Sequence, residues 1–217
     1  LKMKCKICCK KANHIFNGTI LDKYRIKYFQ CDFCGFLQTE EPYWLNESYA
    51  SVITKSDIGL ISRNLNLAEV TKALIFSLYS NKPRRDLGLL SNKSFRKLLN
   101  GLKLKKNYIK QKFTKIYASD FDFNGKYIDY GGGYGIFVRL MRDIGLDFYW
   151  YDTHCQNIFA QGFEADLNIN YNLLTAFEIF EHLPEPIHEL DKMLELSDSI
   201  LFSTVLLPTK KVPAPDE

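Results

Sequence analysis

Long apolar runs are missing from this chain. No segment of its 217 residues approaches the roughly 20 uninterrupted apolar positions that a membrane-spanning helix requires. The opening stretch Leu1–Lys11 is basic and has no apolar core, so no secretory signal is expected there. Internal repeats and low-complexity tracts are absent too, which argues against a solenoid or a disordered polar tail. Cysteine is scarce, at six residues, but it is not scattered. Without secretion, close cysteine pairs argue for a metal and against disulfides. The expectation is a soluble, cytoplasmic protein with no membrane partner. Its 46% hydrophobic content is enough to bury one good-sized core plus a small accessory module.

The net charge of +4 conceals an asymmetry. Lys82 to Lys115 carries about a dozen Lys and Arg against one acid, Asp86, and acids outnumber bases from Ile116 onward. Such a stretch can face an anionic substrate, either a nucleotide-sugar diphosphate or RNA, or can be no more than solvated helix faces. Charge alone does not choose between them.

Cys5-x-x-Cys8 and Cys31-x-x-Cys34 form two knuckles. Each offers two thiolates at a spacing that lets both reach one ion, and Cys5, Cys8, Cys31 and Cys34 together complete a closed tetrahedral zinc site. Four thiolates leave no open coordination position, so this zinc is expected to be structural. Gly35 permits the tight turn after Cys34. Cys9 and His14 are substitute ligands or bystanders, and Cys155 is a small residue following a strand.

The first unit spans residues 1–42, with few large apolar residues of its own. Leu65, Ala68, Leu74, Ile75 and Leu78 recur near helical spacing, and Asn81-Lys82-Pro83 stops that helix. Helices over 93–101 and 107–118 complete a helical lid or linker region at 43–118. A third unit, 119–217, then alternates strand and helix. Strands are expected at 126–130, 148–151, near 162–164, at 173–177 and at 199–205. Helices are expected at 134–144, 155–160 and 185–196. This alternation predicts an α/β fold, a parallel sheet with helices on both faces, and a ligand site outside the carboxyl ends of the strands.

The richest segment lies at that edge. Tyr127-Ile128-Asp129-Tyr130 runs into Gly131-Gly132-Gly133-Tyr134-Gly135. Glycine at alternate positions allows a sharp turn and a close ligand approach. The Gly-x-Gly-x-Gly spacing suits a ligand lying over the loop better than a pyrophosphate seated on a helix N-terminus. Asp152 ends the second strand, where an acid can accept both hydroxyls of a ribose or cap the next turn. Asp166 is either a partner for an adenine amino group or an ordinary turn aspartate. The fourth strand runs into Phe177-Glu178-Ile179-Phe180-Glu181-His182-Leu183-Pro184-Glu185-Pro186.

The glycine loop, the acid after the second strand and the Phe-Glu-x-x-Glu-His-Leu-Pro-x-Pro segment together resemble the class I S-adenosylmethionine-dependent methyltransferases. Their closest subgroup carries an N-terminal zinc-binding module, and some members act on sugars or other metabolites of biosynthetic clusters. The resemblance covers roughly 120–207 and, more loosely, the cysteine-rich start. It implies a Rossmann-like fold in which Asp129, Gly131, Gly133 and Gly135 line the methionine end of S-adenosylmethionine. Asp152 would hold its ribose, and Asp166 would lie near its adenine. Glu178, Glu181 and His182 would sit beside the methyl group, with His182 as a base or positioning group near neutral pH. Certain O-methyltransferases bind a divalent metal at a similar segment, and a purely structural role for the three residues stays open.

Methyltransferases of this class close the sheet with a hairpin after the fifth strand. Leu206 to Glu217 is too short for one, so an incomplete or reduced sheet is expected. The leading expectation is a methyltransferase acting on a small polar acceptor, a sugar or nucleotide-linked sugar. An RNA methyltransferase gripping phosphates through the zinc module and the 82–115 segment is the alternative, and a non-catalytic, truncated S-adenosylmethionine-binding or scaffold module is a third. Nothing in the sequence fixes the oligomeric state.

Overall fold

Among the residues that the computed structural model describes (3–49, 58–80 and 124–204), two four-stranded sheets organise the chain, one antiparallel and one parallel. The helices expected at 93–101 and 107–118, and the basic stretch Lys82–Lys115, lie outside the described residues.

The antiparallel sheet comprises β1 (Met3–Lys4), β2 (Lys11–Ile20), β3 (Tyr24–Cys31) and β4 (Leu37–Thr39), in that order. The first unit is richer in packed apolar groups than its composition suggests. Ala12, Ile26 and Phe29 are buried, together with Cys5 and Cys31. Phe16 stacks on Tyr28 at 4.5 Å, and the Tyr28 ring covers Gly18, where a Cβ would meet it at 2.8 Å. A register shift between His14 and Phe16 breaks the period-two alternation, which is why the sequence pattern hides a ten-residue strand.

Each cysteine knuckle repeats one backbone pattern. Cys9 N–H donates to Cys5 O at 2.9 Å and Cys5 N–H to Lys10 O at 2.8 Å. In the second knuckle Gly35 N–H donates to Cys31 O at 3.0 Å and Cys31 N–H to Phe36 O at 2.9 Å. Cys9 therefore occupies the turn position of Gly35, and both have left-handed backbones, at φ 59° and 76°.

After α1 (Leu45–Tyr49) and the long helix α2 (Leu60–Ser80), the chain builds the parallel sheet. Its strands are β5 (Lys126–Tyr130), β6 (Asp147–Tyr151), β7 (Leu173–Phe177) and β8 (Ile200–Ser203), in the order β6-β5-β7-β8. Helix α3 (Ile136–Asp143) follows β5, and α4 (Pro186–Leu196) begins with Pro186, whose missing N–H costs nothing in a first turn. Alternation along β5 sends Tyr127 to one face and Ile128 to the other. On the first face Tyr127 stacks on Phe148 at 5.1 Å among Phe137, Met141 and the α2 residues Ala68 and Ile75. On the second, Ile128, Leu174 and Ala176 pack with Met193 and Leu196 of α4. This is a Rossmann-like α/β arrangement with helices on both faces.

Strands at 126–130 and 173–177 match their expected bounds, and the others shift by a few residues. One expected element is absent. Residues 155–160 follow an irregular, bent path instead of a helix, because Asn157 ties Ala160 N–H and O to its own side chain at 2.9 and 2.7 Å. Ile158 and Phe159 N–H instead reach Tyr134 O. The expected strand near 162–164 reduces to a single parallel bridge between Glu164 and Trp150.

A left-handed backbone disfavours any residue with a Cβ. Cys9→Gly is therefore expected to stabilise the protein by about 0.5–1 kcal/mol in denaturant unfolding, after allowing for glycine's extra chain entropy. A loss of stability would mean that the Cys9 thiol contributes to the knuckle.

Candidate functional site

The loop Gly131–Gly135 leaves the carboxyl end of β5 and is held by the end of β6. Gly131 and Gly132 N–H both donate to Tyr151 O, at 2.7 and 3.0 Å. Gly133 N–H donates to Asp152 Oδ2 at 2.9 Å, and Trp150 Nε1 donates back to Gly133 O at 2.8 Å. The alternate glycines 131, 133 and 135 are the left-handed ones. Gly132 is required for another reason, since a Cβ there would meet the Trp150 ring at 2.6 Å and Asp129 Oδ2 at 3.0 Å. Above Gly133, at φ 54°, the space is open, with no atom within 4 Å of a Cβ position.

Asp129 lies beneath this loop and is only 4% exposed. The parallel register places it opposite Thr175, whose Oγ1 donates to Asp129 Oδ1 at 2.7 Å. Burial pushes the Asp129 carboxyl up to about 7, the Thr175 hydroxyl opposes the rise, and the nearby Asp152 charge adds to it. Residues 131–134 of the loop and the Asp129 carboxylate form the floor of a cleft of about 460 Å³, while Gly135 packs against Asn157 and Ala160. Leu60, Arg63, Asn64 and Leu67 of α2, one helical face, form a wall, and Phe177, Glu178 and Ser203 form the strand-side rim.

The remaining acidic candidates are spread over this edge. Asp152 accepts from Gly133 N–H and, through Oδ1, from His154 and Cys155 N–H at 2.7 and 2.9 Å, so it caps the turn that follows β6. Asp166 is exposed and accepts from the Asn168 backbone N–H at 2.9 Å, which holds its carboxyl below the usual range. Glu178 reaches the cleft from a left-handed backbone, φ 52°, and accepts from Ser203 Oγ at 2.5 Å. Glu181 accepts from Thr204 Oγ1 at 2.9 Å. His182 sits on the 3₁₀ turn Phe180–His182, exposed and outside the residues that line the cleft. The three do not converge on a common point among the described residues, where the four cysteines are the one group of possible metal ligands.

Those cysteines do converge. Cys8 Sγ lies 3.5 Å from both Cys31 and Cys34 Sγ, Cys5 Sγ lies 3.6 Å from Cys34 Sγ, and all four sulfurs are within 4.8 Å of one another. The backbone N–H of Cys34, against burial and helped by Phe33, pulls the Cys31 thiol down to about 7. Four sulfurs at this spacing can hold one metal ion. Cys9 and His14 are not among them.

Sequence spacing does not single out Trp150, Thr175, Ser203 or the α2 wall. Trp150 and Thr175 acquire their roles through strand register, and Arg63 and Asn64, more than 60 positions upstream of the loop, through the packing of α2.

No curated protein matches the chain. A family model described as a methyltransferase domain matches residues 102–213, which is 112 of 217 residues. The match takes in the entire parallel sheet, the glycine loop and the rim at Glu178, and the chain belongs to the methyltransferase-domain family.

Proposed function

We propose that the chain transfers a methyl group from S-adenosylmethionine to a small polar acceptor such as a sugar or nucleotide-linked sugar. The open space over Gly133, beside a buried carboxylate and under α2, carries this reading. The donor's methionyl end is net cationic, with an ammonium and a sulfonium against one carboxylate. Asp129 supplies the matching negative charge, and Gly131 and Gly133 let the ligand lie on the backbone. Asp152, which holds the Gly133, His154 and Cys155 N–H groups, stands beside the loop where the ribose hydroxyls would lie, and Asp166 marks the adenine end. Arg63 and Asn64 of α2, with Ser203, make this part of the cleft lining polar, which suits a hydroxylated acceptor.

In the reaction the S–CH₃ bond breaks as the bond from methyl carbon to acceptor oxygen forms. The sulfur leaves as a neutral thioether, so it needs no acid. The acceptor's proton must go to a base. Of the three candidates, Glu178 is the one on the cleft rim, with His182 and Glu181 on the turn behind it.

Zinc fits the cysteine cluster. A tetrahedron with Zn–S bonds of about 2.3 Å has edges of about 3.8 Å, close to the sulfur separations present. Cys5, Cys8, Cys31 and Cys34 would hold it, and it would fix the two knuckles against each other. Free thiols of this kind suit a reducing compartment, in keeping with a cytoplasmic protein. The described helices include none long and apolar enough to cross a membrane.

Asp129 keeps its proton to about pH 7 in the folded chain, above the ordinary 3.8, so the native state binds a proton that the unfolded chain has lost. Stability should therefore fall as pH rises from about 4 to about 7. Asp129→Asn should flatten that slope and raise the melting temperature at pH 8, at about 2–4 °C per kcal/mol recovered. In calorimetry, S-adenosylmethionine should bind more tightly as pH rises through 7, releasing a proton. Asp129→Asn should weaken binding roughly tenfold or more and remove the pH dependence; pH-independent binding by the wild type would count against the assignment.

Glu178→Gln should lower turnover by about a hundredfold or more with donor affinity unchanged, and His182→Ala should lower it less. Equal activity of Glu178→Gln and wild type would remove Glu178 as the base. Elemental analysis of purified protein should find one zinc per chain, lost in Cys8→Ser; a metal-free, fully folded protein would refute the zinc site.

A further inference from the structure

Lys6 lies between the first two ligating cysteines, yet its side chain reaches the other sheet. Its backbone N–H donates to Gln38 Oε1 at 2.9 Å, which holds the knuckle against β4. Its side chain is only 14% exposed. Lys6 Nζ donates to Pro184 O at 2.7 Å and pairs with Glu185 at 3.3 Å and Glu41 at 3.4 Å. The paired carboxylates are largely exposed and contribute little on their own. The carbonyl bond is the shorter and more directional contact.

Pro184 closes the segment 178–185 that joins β7 to α4. The opposite end of this segment is tied to β8. Glu178 N–H donates to Ser203 O at 3.1 Å, Ser203 Oγ donates to the Glu178 carboxylate, and Thr204 Oγ1 donates to Glu181. The β8 anchor is the left-handed Glu178 itself, and between it and Pro184 the chain passes through the short turn at Phe180–His182. A residue in that backbone region persists only where its surroundings hold it. One anchor belongs to the sheet that carries the cleft, and the other belongs to the cysteine knuckle.

We propose that Lys6 is a positioning residue that couples the four-cysteine site to the cleft rim. The knuckle turn fixes where the Lys6 side chain starts, and the Nζ–Pro184 bond fixes where the 178–185 segment ends. Whatever holds Cys5 and Cys8 together thereby holds Glu178 in register with the glycine loop. A metal bound at the cysteines acts at a distance from the chemistry, through one lysine. The effect on methyl transfer rests on the reading of the cleft given above; the mechanical coupling does not.

Hydrogen–deuterium exchange on the full chain tests the coupling without any assay of activity. His182 N–H donates to Ile179 O at 2.8 Å and Leu183 N–H to Phe180 O at 3.4 Å, so both amides report on the segment. Lys6→Met should speed their exchange about fivefold, leaving the β5 amides and the metal content unchanged, and Lys6→Arg should restore slow exchange. Removing the metal from wild type with a chelator should speed the same two amides. Lys6→Gln, too short to reach Pro184, carries the same expectation should Lys6→Met fold poorly. In turnover, Lys6→Met should lower kcat with donor affinity unchanged. Unchanged exchange at His182 and Leu183 in the variants, acceleration spread equally over β5, or no response to chelation would each overturn the coupling. Failure of the turnover arm alone would count against the assigned cleft chemistry.

Discussion

The register between β5 and β6 is the constraint on which the site depends. Two glycine N–H groups converge on Tyr151 O, a third meets Asp152, and the Trp150 indole returns a bond to Gly133 O. A slip of one residue would turn every β5 side chain to the opposite face. Asp129 would leave the cleft floor, and Tyr130 would take its place. The loop is therefore rigid because a neighbouring strand end supplies its hydrogen bonds, while its glycines keep the space above it free of side chains.

That arrangement has an electrostatic cost in the unliganded protein. Asp129 is buried near a second carboxylate, Asp152, and a single hydroxyl, Thr175, offsets part of the penalty. Burying a carboxylate with so little compensation destabilises the apo fold at neutral pH. A cationic ligand in the cleft would reverse the sign. Functional sites commonly hold such unfavourable groups, and the surrounding structure tolerates them because the two apolar layers on either face of the sheet supply the stability.

How much of this was legible in the sequence depended on how local each feature is. Strand β5, the glycine loop and the Cys-x-x-Cys pairs are short contiguous patterns, and the structure presents the first two as expected and brings the four cysteines together. Residues 155–160 read as a helix by composition, but Asn157 captures the backbone groups that a helix would use. Strand β2 is obscured by its bulge at His14–Phe16. Long-range features were not legible at all. Thr175 matters because it lies opposite Asp129, Arg63 and Asn64 because α2 folds over the loop, and Lys6 because it meets a carbonyl 178 residues away. Asp152 and Asp166 both follow strand-like segments, and in the structure each accepts hydrogen bonds from the turn that comes after it.

The most direct test of the central claim is a crystal structure of the protein with S-adenosylhomocysteine, the product its donor would leave. The account predicts the ligand over Gly131–Gly133, its amino acid end near Asp129, with α2 covering it. Density for the ligand elsewhere, or an empty cleft at saturating ligand, would contradict it.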